Sequence, residues 1–207
     1  TAGPTREKID PVRYISNKSS GKMGFSLAKA AVDESAIVTL ISGPVTLETP
    51  ERVKRIDIES AEEMKEHVTA NLSDIDLFIS TAAVADFKMK NAESQKIKKD
   101  QSKNMSLNLE KNEDILKHVS DNNPDLKIVG FAAETENMID NARKKLSSKN
   151  LNLIVANDVS DSSIGFDSNN NEVTLITEKE ELKILKTSKE KVARKIVQFI
   201  SKNILND

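Results

Sequence analysis

Apolar positions along this chain fall into two alternating spacings. Residues 36–41, Ala-Ile-Val-Thr-Leu-Ile, form a β-branched run that ends at the turn signal Ser42-Gly43-Pro44. Residues 52–58 alternate with a period near two, and residues 76–80, 127–131 and 151–156 are short, mostly apolar runs that suit strands covered on both faces. Between them the spacing becomes helical. Met23, Leu27, Ala30 and Ala31 recur at i, i+4, i+7 and i+8 and predict a helix over 22–34. Ser60 with Glu63 three residues later is a capping-box pattern that opens a helix over 60–72. Helices over 112–120 and 136–149 take Asn112 and Thr135 as caps. This alternation predicts an α/β fold, a Rossmann-like doubly wound and mainly parallel sheet with helices on both faces. The tail departs from it. Residues 171–177 and 181–186 flank Glu178-Lys179-Glu180 and predict an antiparallel hairpin, followed by a last helix over 188–204 that opens at Ser188.

Two stretches fall outside this rhythm. Residues 87–104 hold six lysines and few apolar groups to anchor them, so a mobile active-site loop is expected there. Thr1-Ala2-Gly3-Pro4-Thr5 reads as the end of a strand entering a loop, which suits a domain excised from a longer chain.

Composition narrows the chemistry. In 207 residues, 31 Lys+Arg against 33 Asp+Glu give a net charge of −2, without the overall basic character that nucleic-acid binding usually needs. Aromatics at 3% are too few for a stacking platform for single strands, so no nucleic-acid partner is expected. The absence of Cys removes a thiolate nucleophile and any Cys-ligated metal, and His67 and His118 are too far apart in sequence to suggest a zinc site. No apolar run approaches the ~20 residues that span a bilayer. The expectation is a cytoplasmic protein with no membrane partner.

Four constellations carry candidate chemistry. Ser16-Asn17-Lys18-Ser19-Ser20-Gly21-Lys22-Met23-Gly24 precedes the helix at 22–34, so its hydroxyls and free N–H groups form either an anion site or an ordinary Gly/Ser turn. It is not a Walker A loop, because Met23 stands where a hydroxyl would bind magnesium, and of a dinucleotide fingerprint only Gly21-x-x-Gly24 survives. Ser80-Thr81-Ala82-Ala83-Val84-Ala85-Asp86 follows a strand, where small residues let a ligand approach the backbone; Asp86 is a hydroxyl acceptor or a turn residue. Lys96-Ile97-Lys98-Lys99 offers a lysine to close over a triphosphate, or a solvated loop. Gly130-Phe131-Ala132-Ala133-Glu134-Thr135, with Lys145 and Lys149 one turn apart on the next helix, offers Phe131 to a nucleobase, or to the core. Tyr14-x-x-x-Lys18 has the spacing of a short-chain dehydrogenase pair, but it stands at the start of the chain beside Pro11 rather than on a mid-chain helix.

Taken in order, Thr1-Ala2-Gly3-Pro4-Thr5-Arg6-Glu7, Asp10-Pro11-Val12-Arg13, the 15–24 segment, Ala82-Ala83-Val84-Ala85-Asp86, Lys96-Ile97-Lys98-Lys99, Gly130 to Thr135 and Ala156-Asn157-Asp158-Val159 closely resemble the phosphopantothenoylcysteine synthetase family, the synthetase half of bifunctional bacterial coenzyme A biosynthesis proteins. The resemblance runs from residue 1 to about 200 and implies a ligase. That ligase joins 4′-phosphopantothenate to L-cysteine, using CTP through an acyl-cytidylate and releasing pyrophosphate and then CMP. It implies magnesium or another divalent cation with the triphosphate, a homodimer, and no flavin in this half. It implies catalytic roles for Asn17, at the acyl-cytidylate, and for Lys96, on the nucleotide side. Nucleotide contacts fall on Gly3, Ser19, Ser20, Gly21, Gly24, Asp86, Asn112, Glu113, Asp114, Ile115, Phe131, Lys145 and Lys149, and substrate contacts on Asn17, Ala82 and Ala83. Glu113 departs from the family pattern, which has Pro there. A Rossmann-type oxidoreductase and a non-catalytic nucleotide-binding module are the other classes this sequence admits.

Overall fold

The computed structural model describes residues 1–98, 104–134, 136–158 and 168–205. In chain order its elements are β1 (Arg6–Lys8), β2 (Tyr14–Ser16), α1 (Lys22–Asp33), β3 (Val38–Ser42), β4 (Val53–Asp57), α2 (Ala61–Ala70), β5 (Leu77–Ser80) and β6 (Phe87–Met89). There follow β7 (Leu109–Lys111), α3 (Ile115–Asn122), β8 (Lys127–Glu134), α4 (Met138–Ser148), β9 (Leu153–Asp158), β10 (Asn170–Ile176), β11 (Glu181–Ser188) and α5 (Lys189–Asn203).

The central sheet has the order β11-β10-β9-β8-β5. Strands β5, β8 and β9 are parallel, and β10 and β11 form the antiparallel hairpin that the tail predicted. Beyond β5, residues 1–4 run as an extended segment. Thr1 N donates to the Ile79 carbonyl at 2.8 Å, and Ala2 N–H to the Ile41 carbonyl at 2.9 Å. Parallel bridges tie Ala2 to Ser42 and Pro4 to Ala83, so this segment joins the parallel pair β3-β4 to the main sheet. Chain order therefore reverses between the segment at 1–4 and β5, the switch point where ligands bind in open α/β sheets.

Period-two alternation builds two cores. Val129, Leu153 and Val155 pack with Leu27 of α1 and Ile196 of α5, whereas Ile128, Ile154 and Ala156 pack with Met64 of α2, Val119 of α3 and Leu146 of α4. Each central strand is covered on both faces, which is why these runs are nearly continuous in apolar residues.

Several boundaries move for local reasons. The strand expected from residue 36 begins at Val38, because Ser35 takes a positive φ of 70° just past α1. The helix expected from Asn112 begins at Ile115. Asp114 is its cap, accepting the Lys117 N–H at 3.0 Å, while the Asn112 carboxamide donates across to the Ala85 carbonyl at 2.8 Å. The expected cap Thr135 lies outside the described residues; α4 starts behind Asn137, at φ 48°. Ser60 and Ser188 cap as expected, accepting from the Glu63 and Lys191 N–H groups. Strand β8 contains the expected run 127–131 and continues three residues beyond it, to Glu134.

Within the expected loop at 87–104, Phe87–Met89 is a strand paired antiparallel with Leu109–Lys111; residues 99–103 lie outside the described set. The short hairpin β1-β2 was not predicted, since its two strands of three residues each are mostly polar.

Candidate functional site

A cavity of about 460 Å³ opens over the switch point. The turn before α1 supplies one wall. Gly21 adopts φ 73° and ends the turn, and α1 has no side-chain cap and no acidic residue in its first turn. Gly21, Lys22, Met23 and Gly24 line the cavity, so the N-terminal, positive end of the α1 dipole stands at its wall. Helices α2, α3 and α5 all carry side-chain caps instead. Ser19 Oγ accepts the Gly21 N–H at 3.3 Å and shapes the turn.

The floor is the segment after β5. Asn17 leaves β2 and donates from Nδ2 to the carbonyls of Ala83, at 3.3 Å, and Val84, at 3.0 Å. Both amide protons are thereby committed to the floor, and Oδ1 is the atom left to serve a ligand. Ala83 is tied from behind, its N–H donating to the Gly3 carbonyl at 2.9 Å. Asp86 lines the cavity, and its carbonyl accepts the Asn112 N–H at 2.9 Å, which brings the 112–115 segment to the rim.

Two lysines of α4 and its C-terminal end also line the cavity. Lys145 Nζ donates to the Phe131 carbonyl at 2.9 Å, and Lys149 pairs with Asp114. Burial, and next the charge of Lys149, lower the Lys145 pKa below its ordinary value. Burial works to raise Asp114, but its bonds to Lys149 and to the Lys117 N–H outweigh that and leave the pKa lowered. Glu113 is drawn to Lys65 and to His118 Nδ1, at 2.8 Å; the Lys65 bond leads in lowering its pKa.

The structure brings Asn17, Ser19, Ser20, Gly21, Gly24, Ala82, Ala83, Asp86, Asn112, Glu113, Asp114, Ile115, Phe131, Lys145 and Lys149 to one cavity. Two expected residues are not on its lining. Gly3, at φ 71°, lies behind Gly21, and Lys96 is exposed outside the cavity. Sequence reasoning gave no role to Thr81, Asn157, Asn171 or Lys189, which also line it. Asn157 and Thr81 stood inside quoted motifs, but nothing in the sequence marks Asn171 or Lys189.

Among the described residues no group of three or more His, Asp or Glu side chains could hold a metal ion. No helix of the described residues is long and apolar enough to cross a membrane.

Residues 1–204 match the family model of the DNA/pantothenate metabolism flavoprotein C-terminal domain. The chain belongs to this family. Among curated relatives named coenzyme A biosynthesis bifunctional protein CoaBC, that of Vibrio vulnificus is 50% identical over 204 residues, covering 97% of this chain and 50% of the relative. That of Escherichia coli is 51% identical over 180 residues, covering 84% and 44%. The chain thus spans about half the length of the curated relatives it matches. A crystal structure of the C-terminal domain of CoaBC superposes with a TM-score of 0.84 at 40% identity, covering 100% of this chain and 94% of that one. The flavoprotein C-terminal domain fold is therefore the doubly wound α/β fold that the alternating pattern predicted.

Proposed function

We propose that this flavoprotein C-terminal domain is a phosphopantothenate–cysteine ligase of coenzyme A biosynthesis. It uses CTP through an acyl-cytidylate to join 4′-phosphopantothenate and L-cysteine. The observation that carries the reading is that one cavity is lined by the uncapped N-terminus of α1, by Lys145 and Lys149, and by Asn17, which is bonded to the segment after β5. Resemblance and relatives supply the substrates; the cavity supplies a place for their charges.

The chemistry needs no protein nucleophile. The substrate carboxylate attacks the α-phosphorus of CTP, forming a C–O–P bond as the bond to pyrophosphate breaks. The cysteine amine then attacks the acyl carbon, CMP departs with the oxygen that bridged carbon and phosphorus, and the amine loses its proton. Such steps depend on positioning and charge neutralisation. The α1 N–H groups hold phosphate oxygens, and the two wall lysines take charge from the nucleotide. Asn17 offers Oδ1 while its amide group fixes the Ala83–Val84 floor. Magnesium or another divalent cation would enter with the triphosphate and would help neutralise charge on the leaving pyrophosphate. Lys96, which the resemblance assigns to the nucleotide side, reaches the reaction from outside the lining described here.

The domain acts as a homodimer in this reading. Phe87, Met105, Leu107 and Leu109 are exposed on and beside the β6-β7 arm, and Val12 and Tyr14 on the neighbouring hairpin, an apolar strip suited to burial against a second copy. Pyrophosphate release measured with four nucleotides, each with and without phosphopantothenate, tests the function. Release with CTP and substrate together supports it, and equal turnover with ATP would reject the nucleotide assignment alone.

A further inference from the structure

The Asp10-Pro11-Val12-Arg13 turn is absent from the cavity lining, yet it grips the segment that carries Lys96. The Asp10 side chain is 0% exposed. Its Oδ1 accepts the N–H groups of Val12, at 2.8 Å, and Arg13, at 2.9 Å. Its Oδ2 accepts Arg13 Nε at 2.9 Å, Arg13 Nη2, and the Ile97 N–H at 3.1 Å. Arg13 Nη2 also donates to the Ile97 carbonyl at 3.0 Å. The ion pair therefore binds both backbone polar groups of one residue, much as a neighbouring strand would. A third bond, from the Glu93 N–H to the Ile9 carbonyl at 2.9 Å, holds the same segment. Arg13, the leading cause, keeps the Asp10 carboxyl well below the usual carboxylate range, so the buried partner stays charged. Closing the turn at 10–13 requires only the local bonds; those to Ile97 serve a segment more than eighty positions away.

The same hairpin holds the other catalytic candidate. Strand β2 follows Arg13, Ser16 Oγ donates to the Thr5 carbonyl at 2.7 Å, and the next residue is Asn17 on the cavity floor. One short hairpin thus carries Asn17 at one end and the backbone beside Lys96 at the other.

We propose that Asp10 and Arg13 are positioning residues for the ligase reaction: by holding the Ile97 peptide they fix where Lys96 stands relative to Asn17. This rests on the proposed function, in which Lys96 serves the nucleotide. Only a guanidinium fork can meet the carboxylate and the Ile97 carbonyl together; a lysine keeps the charge but offers a single point.

The test compares Arg13→Lys, Lys96→Gln and the double variant with native protein, each checked for native thermal unfolding. In Arg13→Lys the amides of residues 93–98 exchange about tenfold faster, while those of β8 and β9 are unchanged. Pyrophosphate release falls by about tenfold, with the KM for CTP moved less than about twofold. Added to Lys96→Gln, Arg13→Lys slows release no further, because both act through one ammonium. Unchanged exchange at Ile97, or equal slowing in both backgrounds, overturns the proposal. Native protein that releases no pyrophosphate with any nucleotide sinks the ligase reading instead, and the exchange difference at Ile97 still reports whether the grip exists.

Discussion

Replacing Gly24 with Ala probes the geometry that sets the anion-binding turn against the sheet. A Cβ at Gly24 would stand 2.5 Å from the Ala2 Cβ, 2.8 Å from Thr81 Oγ1 and 3.1 Å from the Ala2 Cα. Carbon contacts are comfortable at about 3.5–4.0 Å, so α1 has to retreat by about 1 Å. Ala2 cannot yield: it is 0% exposed and bonded on both sides, to Ile41 and Gly43, at 2.9 Å each. Overpacking against fixed backbone costs about 3 kcal/mol, and the helical preference of Ala returns about 1. The net of about 2 kcal/mol lowers Tm by about 4–8 °C for a chain of this size. Gly130→Ala is the control. Its Cβ meets the ends of Leu151 and Leu116 side chains, at 2.8 and 3.1 Å, which can rotate away. It costs less than half as much. Thermal unfolding of the two variants, with calorimetric titration of CTP and magnesium, decides the matter. Gly24→Ala is expected to lose both Tm and about tenfold in CTP affinity, because the α1 N–H groups move with the helix. A Gly24→Ala protein as stable as native, or more stable than Gly130→Ala, would refute the close approach.

Three further outcomes follow from the site. Asn17→Asp replaces a donor to two carbonyls with a negative oxygen and places charge beside the acyl group; product formation falls by about 10²-fold with Tm nearly unchanged, and a near-native rate would remove Asn17 from the reaction. Lys145 holds its proton less tightly than an ordinary lysine, and a bound triphosphate reverses that by adding negative charge nearby. CTP binding therefore takes up a proton in the alkaline range, seen by calorimetry in two buffers across an alkaline pH series and lost in Lys145→Met; equal uptake in the variant contradicts the assignment. Lys96→Gln lowers pyrophosphate release by at least about 10²-fold, whereas Lys88→Gln loses little, since Lys88 already faces Glu62 and Glu110 at 3.6 and 4.0 Å. Equal rates for the two variants return Lys96 to the solvated surface.

The sequence displayed most of what period and capping control. Alternation along β8 and β9 exposed the doubly covered sheet, because Ile128/Val129 and Leu153/Ile154 feed opposite cores. Ser60 and Ser188 announced their helices through side-chain chemistry that is local. What stayed hidden depends on contacts distant in sequence. Asn112 looked like a cap, yet its carboxamide is taken by Ala85, twenty-seven residues away, and Asp114 caps in its place. The mostly polar β1-β2 hairpin has no periodic signal, and it is held by Asp10 and by pairing rather than by an apolar face. The cavity residues were legible where they sat in motifs. Asn171 and Lys189 reach the cavity only because β10 and α5 fold back toward α1, which no spacing in their own segments reveals.

In the proposed reaction the substrate carboxylate attacks the α-phosphorus of CTP, with the chain's own N–H groups and lysines holding the phosphates. Phosphopantothenate labelled with ¹⁸O in its carboxylate, turned over with CTP, magnesium and cysteine, reports this directly by mass spectrometry of the products. One labelled oxygen is expected in CMP and none in pyrophosphate. Label in orthophosphate with release of CDP, or unlabelled CMP beside completed product, would contradict it.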